Sequence, residues 1–209
     1  WSGIMQNISI LQDLNINICA ITTLHKLNYH EMPNIAAFLE MAEIGSWQVQ
    51  LASPSGRMTQ QMNHLINEED FRKICNHVFT LRQRYLQIKI EAADCFGPAP
   101  AGAIRGGEWG GCSAGIASLG IDACGYVMPC LSLQSFKIHE NLLNKPIEKI
   151  WENSPMFDFN RKFKKENAKG RCEDCKFLDD CRGGCASQSF SYNGCYHSAP
   201  FCFARSFCD

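Results

Sequence analysis

The sequence lacks an initiator methionine, a basic leader followed by an apolar stretch, and any apolar run near the roughly 18 residues that a membrane span needs. Nothing in it points to secretion or to a membrane, and a cytoplasmic, reducing compartment is expected. Charge of one sign is missing as well. With 20 Lys and Arg against 21 Asp and Glu, no global field favours nucleic acid or anionic lipid as a partner. Histidine is sparse: His25, His30, His64, His77 and His139 show no ligand spacing with one another or with the cysteines, and His197 reads as a surface-loop residue. Cysteine is what the chain has in excess. The 13 cysteines cannot all pair within one chain; three precede residue 100 and ten run from Cys112 to Cys208. A chain of 209 residues, 45% hydrophobic, holds one or two apolar cores and does not need disulfides in place of one. Metal or cluster ligation fits these cysteines better.

The first half reads as alternating strands and helices. Asn15 to Thr23 alternates polar residues with Ile before turning apolar, as a strand buried on at least one face would. Pro33 suits a first helical turn, Ile35, Phe38, Leu39 and Ala42 follow at helical spacing, and Gly45 is placed to stop the helix. Trp47 to Ala52 reads as a second strand, closed by Ser53-Pro54-Ser55-Gly56. Asn67 predicts a helix cap, Glu68, Glu69 and Asp70 suit the first turn, and Phe71, Ile74, Cys75, Val78 and Tyr85 share one face. Tyr85 to Glu91 reads as a third strand. Strands separated by helices imply a parallel sheet, whose functional groups gather at the C-terminal strand ends. Three such units do not close a barrel. They form an open sheet or the later part of a barrel, and the opening at Trp1 reads as the continuation of such a pattern.

The second half is organised by cysteine spacing. Cys172, Cys175, Cys181 and Cys185 form C-x2-C-x5-C-x3-C, four thiols within 14 residues. Upstream, Cys112 is followed by Gly125 and Cys130, with the glycine where a hairpin between Leu119-Gly-Ile and Val127-Met must turn. Cys195, Cys202 and Cys208 follow. These exceed what one tetrahedral site requires, so the spacing asks for two sites. Helices are expected over Pro146 to Trp151 and from Pro155 to about Phe163, the latter capped by Ser154 and presenting Met156, Phe159 and Phe163. Arg161, Lys162, Lys164, Lys165, Lys169 and Arg171 read as a solvated basic face. Phe96 and Trp109 read as packing residues.

C-x(9-15)-G-x4-C, a gap, C-x2-C-x5-C-x3-C, a gap and a last Cys resembles the SPASM domain, the C-terminal extension of many radical SAM enzymes. The resemblance spans Cys112 to Cys202 and includes Gly125-Tyr-Val-Met-Pro-Cys130 and Pro146-Ile-Glu-Lys-Ile-Trp151. It implies an α/β chain: residues 1–98 as C-terminal β/α units of a partial TIM-like radical SAM barrel, residues 99–209 as a small α+β SPASM iron-sulfur domain. It also implies two auxiliary 4Fe-4S clusters with crossed ligation. The first would take Cys112, Cys130 and Cys185, with Cys95, Cys124 or an open iron completing it. The second would take Cys172, Cys175, Cys181 and Cys202, the last preferred over Cys195 or Cys208.

The C-x3-C-x2-C loop that binds the catalytic cluster of radical SAM enzymes is absent from these 209 residues. The resemblance therefore implies a longer enzyme, with a third 4Fe-4S cluster and S-adenosylmethionine, in which a 5'-deoxyadenosyl radical abstracts hydrogen from a ribosomally made peptide or a protein. Its electron partner would be a ferredoxin or flavodoxin, and this chain alone would be inactive. Thr22, Thr23, Gln50 and Ser53, at predicted strand ends, are candidates for the S-adenosylmethionine side, and no catalytic residue is singled out. Backbone N–H groups around Gly183-Gly184 are placed to approach sulfur closely. Two alternatives compete: a structural zinc module on Cys172, Cys175, Cys181 and Cys185, which leaves Cys112, Cys130 and Cys202 idle, and a stand-alone two-cluster electron-transfer protein.

Overall fold

The computed structural model describes residues 1–107, 109–133 and 140–207. His139 and Cys208 lie outside the described residues. Helix α1 (Ser2–Asp13) leads into strand β1 (Cys19–Leu24), helix α2 (Met32–Met41), strand β2 (Ser46–Leu51), helix α3 (Glu68–Arg84) and strand β3 (Lys89–Ala92). The strands form a parallel sheet in the order β1-β2-β3, with Cys19 paired to Ser46 and Ser46 to Lys89.

Local chemistry explains these elements. In α3 the Asn67 side chain accepts from the Asp70 N–H at 2.9 Å and Asp70 accepts from the Asn67 N–H at 3.1 Å, a reciprocal capping box. Phe71, Ile74, Cys75 and Val78 are buried on its inner face, as their spacing predicts. Three boundaries differ from the sequence reading: β1 starts at Cys19 and not at Asn15, because Asn15 is left-handed at φ 54° in the turn that follows α1. The left-handed residue that ends α2 is Glu43 at φ 52°, not Gly45, because the chain turns one residue after the Ala42 cap. Strand β3 starts at Lys89, because Tyr85 caps α3 with its N–H on Leu81 and its ring buried against the sheet.

Adjacent residues point to opposite faces of a strand. Trp47, Val49 and Leu51 of β2 turn toward α2 and α3 and are buried; Gln48 and Gln50 turn to the other face.

The second half has short elements. Strands β4 (Gly120–Ile121), β5 (Tyr126–Met128) and β6 (Glu140–Asn141) form an antiparallel sheet, with Gly125 at φ 82° turning the expected hairpin. Helices α4 (Ile147–Asn153), α5 (Asp158–Arg161), α6 (Leu178–Cys181), α7 (Ala186–Asn193) and α8 (Phe203–Phe207) follow. Ser154 accepts from the Met156 N–H as expected, but Phe157 joins Met156 in the core beside Phe159 and Phe163, which are only partly buried. Arg161 leaves the basic face to lie over Trp151, its guanidinium carbon 4.3 Å from the ring centre; Lys162 and Lys165 are exposed and pair with Asp158 and Asp179.

Packing crosses residue 98. Phe201 stacks on Phe71 with ring centres 5.3 Å apart, and the Ala204 N–H donates to the Pro98 carbonyl. The chain's end thus returns to the first half's core and brings the late cysteines to the C-terminal end of the parallel sheet. Among the described residues no helix is long and apolar enough to cross a membrane.

Candidate metal centres

Eight of the described cysteines make up the two sets that the sequence reading assigns to clusters, and thiols within each set act on one another. Cys95 sits on the turn after β3, Cys112 on the loop into the second half, Cys130 shortly after β5 and Cys185 at the N-cap of α7. Burial pushes the Cys185 thiol up to about 12; Cys112 and Cys95 push the same way, and the Gln188 and Ser187 N–H groups, which donate to its sulfur, oppose them. Cys112 is raised by burial, with Cys130 adding and the Ala186 and Ala114 N–H groups opposing. Burial likewise pushes Cys95 to about 12 against the Leu51 N–H, which donates to its Sγ at 3.3 Å.

Cys172, Cys175, Cys181 and Cys202 form the other set. Burial pushes Cys181 up to about 12, with Cys202 and Cys172 adding, while the Gly184 and Gly183 N–H groups donate to its sulfur and oppose. Cys202 is raised by burial and feels Cys172 and Cys175; the Arg205 and Ala204 N–H groups donate to it. Cys172 is raised by burial, feels Cys175 and accepts from the Ala199 N–H. The double glycine is required here: at φ 80° and 87° both residues are left-handed, and a Cβ on Gly184 would sit 2.7 Å from that of Ala199.

The spacing of the C-x2-C-x5-C-x3-C run is therefore split in space, its last cysteine facing Cys112 and Cys95 and its first three facing Cys202. Cys124 is exposed in the β4–β5 turn, and neither it nor Cys195 is among the groups that act on Cys112, Cys181, Cys185 or Cys202. Cys75, buried on α3, feels both Cys95 and Cys202. Among the described residues no three His, Cys, Asp or Glu side chains stand close enough to share a single metal ion. The two sets are neighbours and not a closed coordination shell.

His197 corrects the sequence reading. It is buried, not a surface-loop residue, with Nδ1 2.6 Å from the Arg182 carbonyl and Nε2 2.8 Å from the Phe159 carbonyl, so neither nitrogen is open to a metal. Its loop looks polar in sequence because the burying groups come from residues 159–182.

A cavity of 1040 Å³ opens at the C-terminal ends of the parallel strands. Thr23, Gln50 and Ser53 line it together with Asp94, Cys95, Cys130, Cys185 and Gln188, so the first set reaches this space and the second does not line it. Gln50 donates to the Thr23 hydroxyl at 2.8 Å. Thr22 is elsewhere: it points to the helix face and accepts from the Trp47 indole at 2.9 Å. Burial raises the Asp94 carboxyl, with Arg105 and Trp109 opposing.

Sequence reasoning missed the residues that hold the Cys112 arm. Asn160, 2% exposed, donates from Nδ2 to the Cys112 and Ala114 carbonyls, both at 2.8 Å, and accepts from Arg182 Nε at 3.1 Å. Arg182 also donates to the Gly110 and Cys112 carbonyls at 3.1 Å. These partners lie 22 to 72 residues apart, and no local pattern pairs them. Only the position of Arg182 between two ligand-spaced cysteines was visible.

Residues 112–176 match the family model of SPASM, an iron-sulfur cluster-binding domain. The chain is 32% identical over 85 residues to mycofactocin maturase MftC of Mycobacterium ulcerans, covering 38% of this chain and 21% of that protein. It is 31% identical over 97 residues to the AdoMet-dependent heme synthase of Methanosarcina barkeri, covering 46% of this chain and 26% of that protein. Among solved structures, Streptococcus suis SuiB superposes with a TM-score of 0.63 at 16% identity, over 90% of this chain and 46% of SuiB. SuiB bound to the precursor peptide SuiA gives 0.62 at 17%, over 95% and 46%. The chain thus spans less than half of SuiB, and its matches cover about a quarter or less of the curated relatives. The cysteine framework thus matches the SPASM iron-sulfur cluster-binding domain over residues 112–176, and nearly the whole chain takes the fold of SuiB.

Proposed function

We propose that this chain is the auxiliary-cluster portion of a radical SAM/SPASM oxidoreductase that modifies a ribosomally made peptide or a protein. Cys112, Cys130 and Cys185, joined by Cys95, would hold one 4Fe-4S cluster; Cys172, Cys175, Cys181 and Cys202 would hold the other. The observation that supports this reading is that Cys185 feels Cys112 and Cys95 while Cys181 feels Cys202 and Cys172, a pattern that cuts across their order in sequence. Cys95 completes the first set because it acts on Cys185 and lines the same cavity, which exposed Cys124 does not.

The donor chemistry fits. Burial favours the protonated thiol at Cys95, Cys112, Cys172, Cys181, Cys185 and Cys202, yet backbone N–H groups act on each of these to favour the thiolate. Such donors stabilise a thiolate, and a cationic centre supplies the rest. When bound, 4Fe-4S clusters carry single electrons, at potentials set by net charge, hydrogen bonds to sulfur and exposure. The chain's part is to offer those N–H donors, to bury the second set, and to open the first set to the cavity. Thr23, Gln50 and Ser53 there present polar groups suited to S-adenosylmethionine or to a substrate backbone; Thr22 faces away and is not among them. In the longer protein the chemistry would be hydrogen abstraction by a 5'-deoxyadenosyl radical, fed by a third 4Fe-4S cluster and an electron partner such as ferredoxin or flavodoxin. That MftC is named a maturase and SuiB binds a precursor peptide supports a peptide substrate.

The test is anaerobic loading followed by iron, sulfide and zinc analysis. About eight irons and eight sulfides per chain, with brown colour, are expected for two such clusters. Zinc without sulfide, when iron and sulfide are supplied, would overturn the reading in favour of a structural zinc module.

A further inference from the structure

The buried guanidinium of Arg105 has no role in the ligand sets, yet it lies where they approach each other. Arg105 is 6% exposed, and its Nη2 donates to the Ala93 carbonyl at 3.1 Å and to the Gly97 carbonyl at 3.2 Å, the two ends of the turn that carries Cys95. That turn touches the second set as well: a Cβ on Gly97, which is left-handed at φ 70°, would meet Cys202 Sγ at 3.0 Å. Among the described residues its Nε is buried with no acceptor. Trp109 covers the group, with the guanidinium carbon 5.3 Å from the ring centre. The acids that act on it are Asp94, which lines the cavity, and Glu91, which accepts from the Gly106 N–H and pairs with Lys89; the Cys95 and Cys181 thiols act on it as well.

Burying a cation with incomplete pairing is expensive unless negative charge stands nearby. Two thiolate-ligated clusters supply such charge. We propose that Arg105 is a positioning residue shared by the two cluster sites: it clamps the Cys95 turn against Cys202, and its fixed charge raises the reduction potentials of both clusters. This rests on the two-cluster reading above. A cluster gains negative charge on reduction, so a nearby cation in a poorly solvated place favours the reduced state, and its removal lowers the potential.

The test compares Arg105→Gln with Arg105→Lys in the cluster-loaded protein, by redox titration followed by electron paramagnetic resonance. Both variants lose the planar fork across Ala93 and Gly97, but only Gln loses the charge. Both clusters should titrate at more negative potential in Arg105→Gln than in Arg105→Lys, with iron content matched and Lys nearer the unaltered protein. Lys162→Gln, on the exposed surface, should shift neither. Equal potentials in the Gln and Lys variants would overturn the proposal, and so would failure of both to load, since that assigns Arg105 a purely structural role. Absence of two reducible centres in the unaltered protein would instead strike the reading beneath it.

Discussion

The two halves of the molecule are stabilised by different means. The β/α half carries one continuous apolar core, entered also by Ile104 and Phe201, in which Trp47, Phe71, Ile74 and Phe96 are all but inaccessible. The cysteine half has three small apolar clusters, gathered around Cys112, Val127 and Cys172, joined by turns with left-handed glycines at positions 111, 115, 125, 170, 183 and 184. Apolar burial stabilises roughly in proportion to area, so the first half can hold itself while the second needs cross-links. Its buried thiols are the groups available to make them, and metal ligation then becomes folding energy. The halves differ in degree, since Cys95 of the first half is also a proposed ligand and Phe201 of the second packs into the first half's core.

The largest effect expected from that contrast is on removal of the clusters. In hydrogen exchange the cluster-free protein should lose protection over residues 112–133 and 168–202 while α3 and β2 keep theirs; uniform protection would erase the distinction. Next is pH. Cys95, Cys181 and Cys185 hold their protons to about 12, and each must release one to become a ligand. Lower pH therefore favours the unloaded, protonated chain, and loss of iron to a chelator should quicken as pH falls from about 9 to about 6.5. A pH-independent rate would contradict the burial argument.

Smaller effects belong to the first half. Ile74→Ala removes a fully buried side chain of α3 and should cost about 2–5 kcal/mol by denaturant titration, with iron per folded chain unchanged. Asn67→Ala breaks the capping box and should cost about 1 kcal/mol in the same assay, again without loss of iron. Iron loss in either variant would mean that the halves are less independent than their packing indicates.

What the sequence made legible follows the same division. The cap of α3, its buried face and the Gly125 hairpin are local signals, and each appears where its chemistry predicts; the helix-spaced strands appear in order, with β1 and β3 starting four residues later than their patterns suggest. The preference for Cys202 over Cys195 rests on a gap length alone, and Cys202 acts on Cys181 and feels Cys172 and Cys175. Contacts over long separations were not legible. Thr22 and Thr23 look alike in sequence, and only the strand's facing assigns Trp47 to one and the cavity to the other. His197, Asn160, Arg182 and Arg105 have ordinary neighbours along the chain, and their roles arise from carbonyls brought to them by folding.

The central claim, two cysteine sets rather than one, is tested most directly by pairing Cys112→Ala with Cys172→Ala and measuring iron and electron paramagnetic resonance of each after anaerobic loading. Separate sites predict that each variant keeps about half the iron and that the surviving signals differ, their sum reproducing the signal of the unaltered protein. Loss of the same signal in both, or of all iron in either, would show that these cysteines serve a single site and would contradict the division.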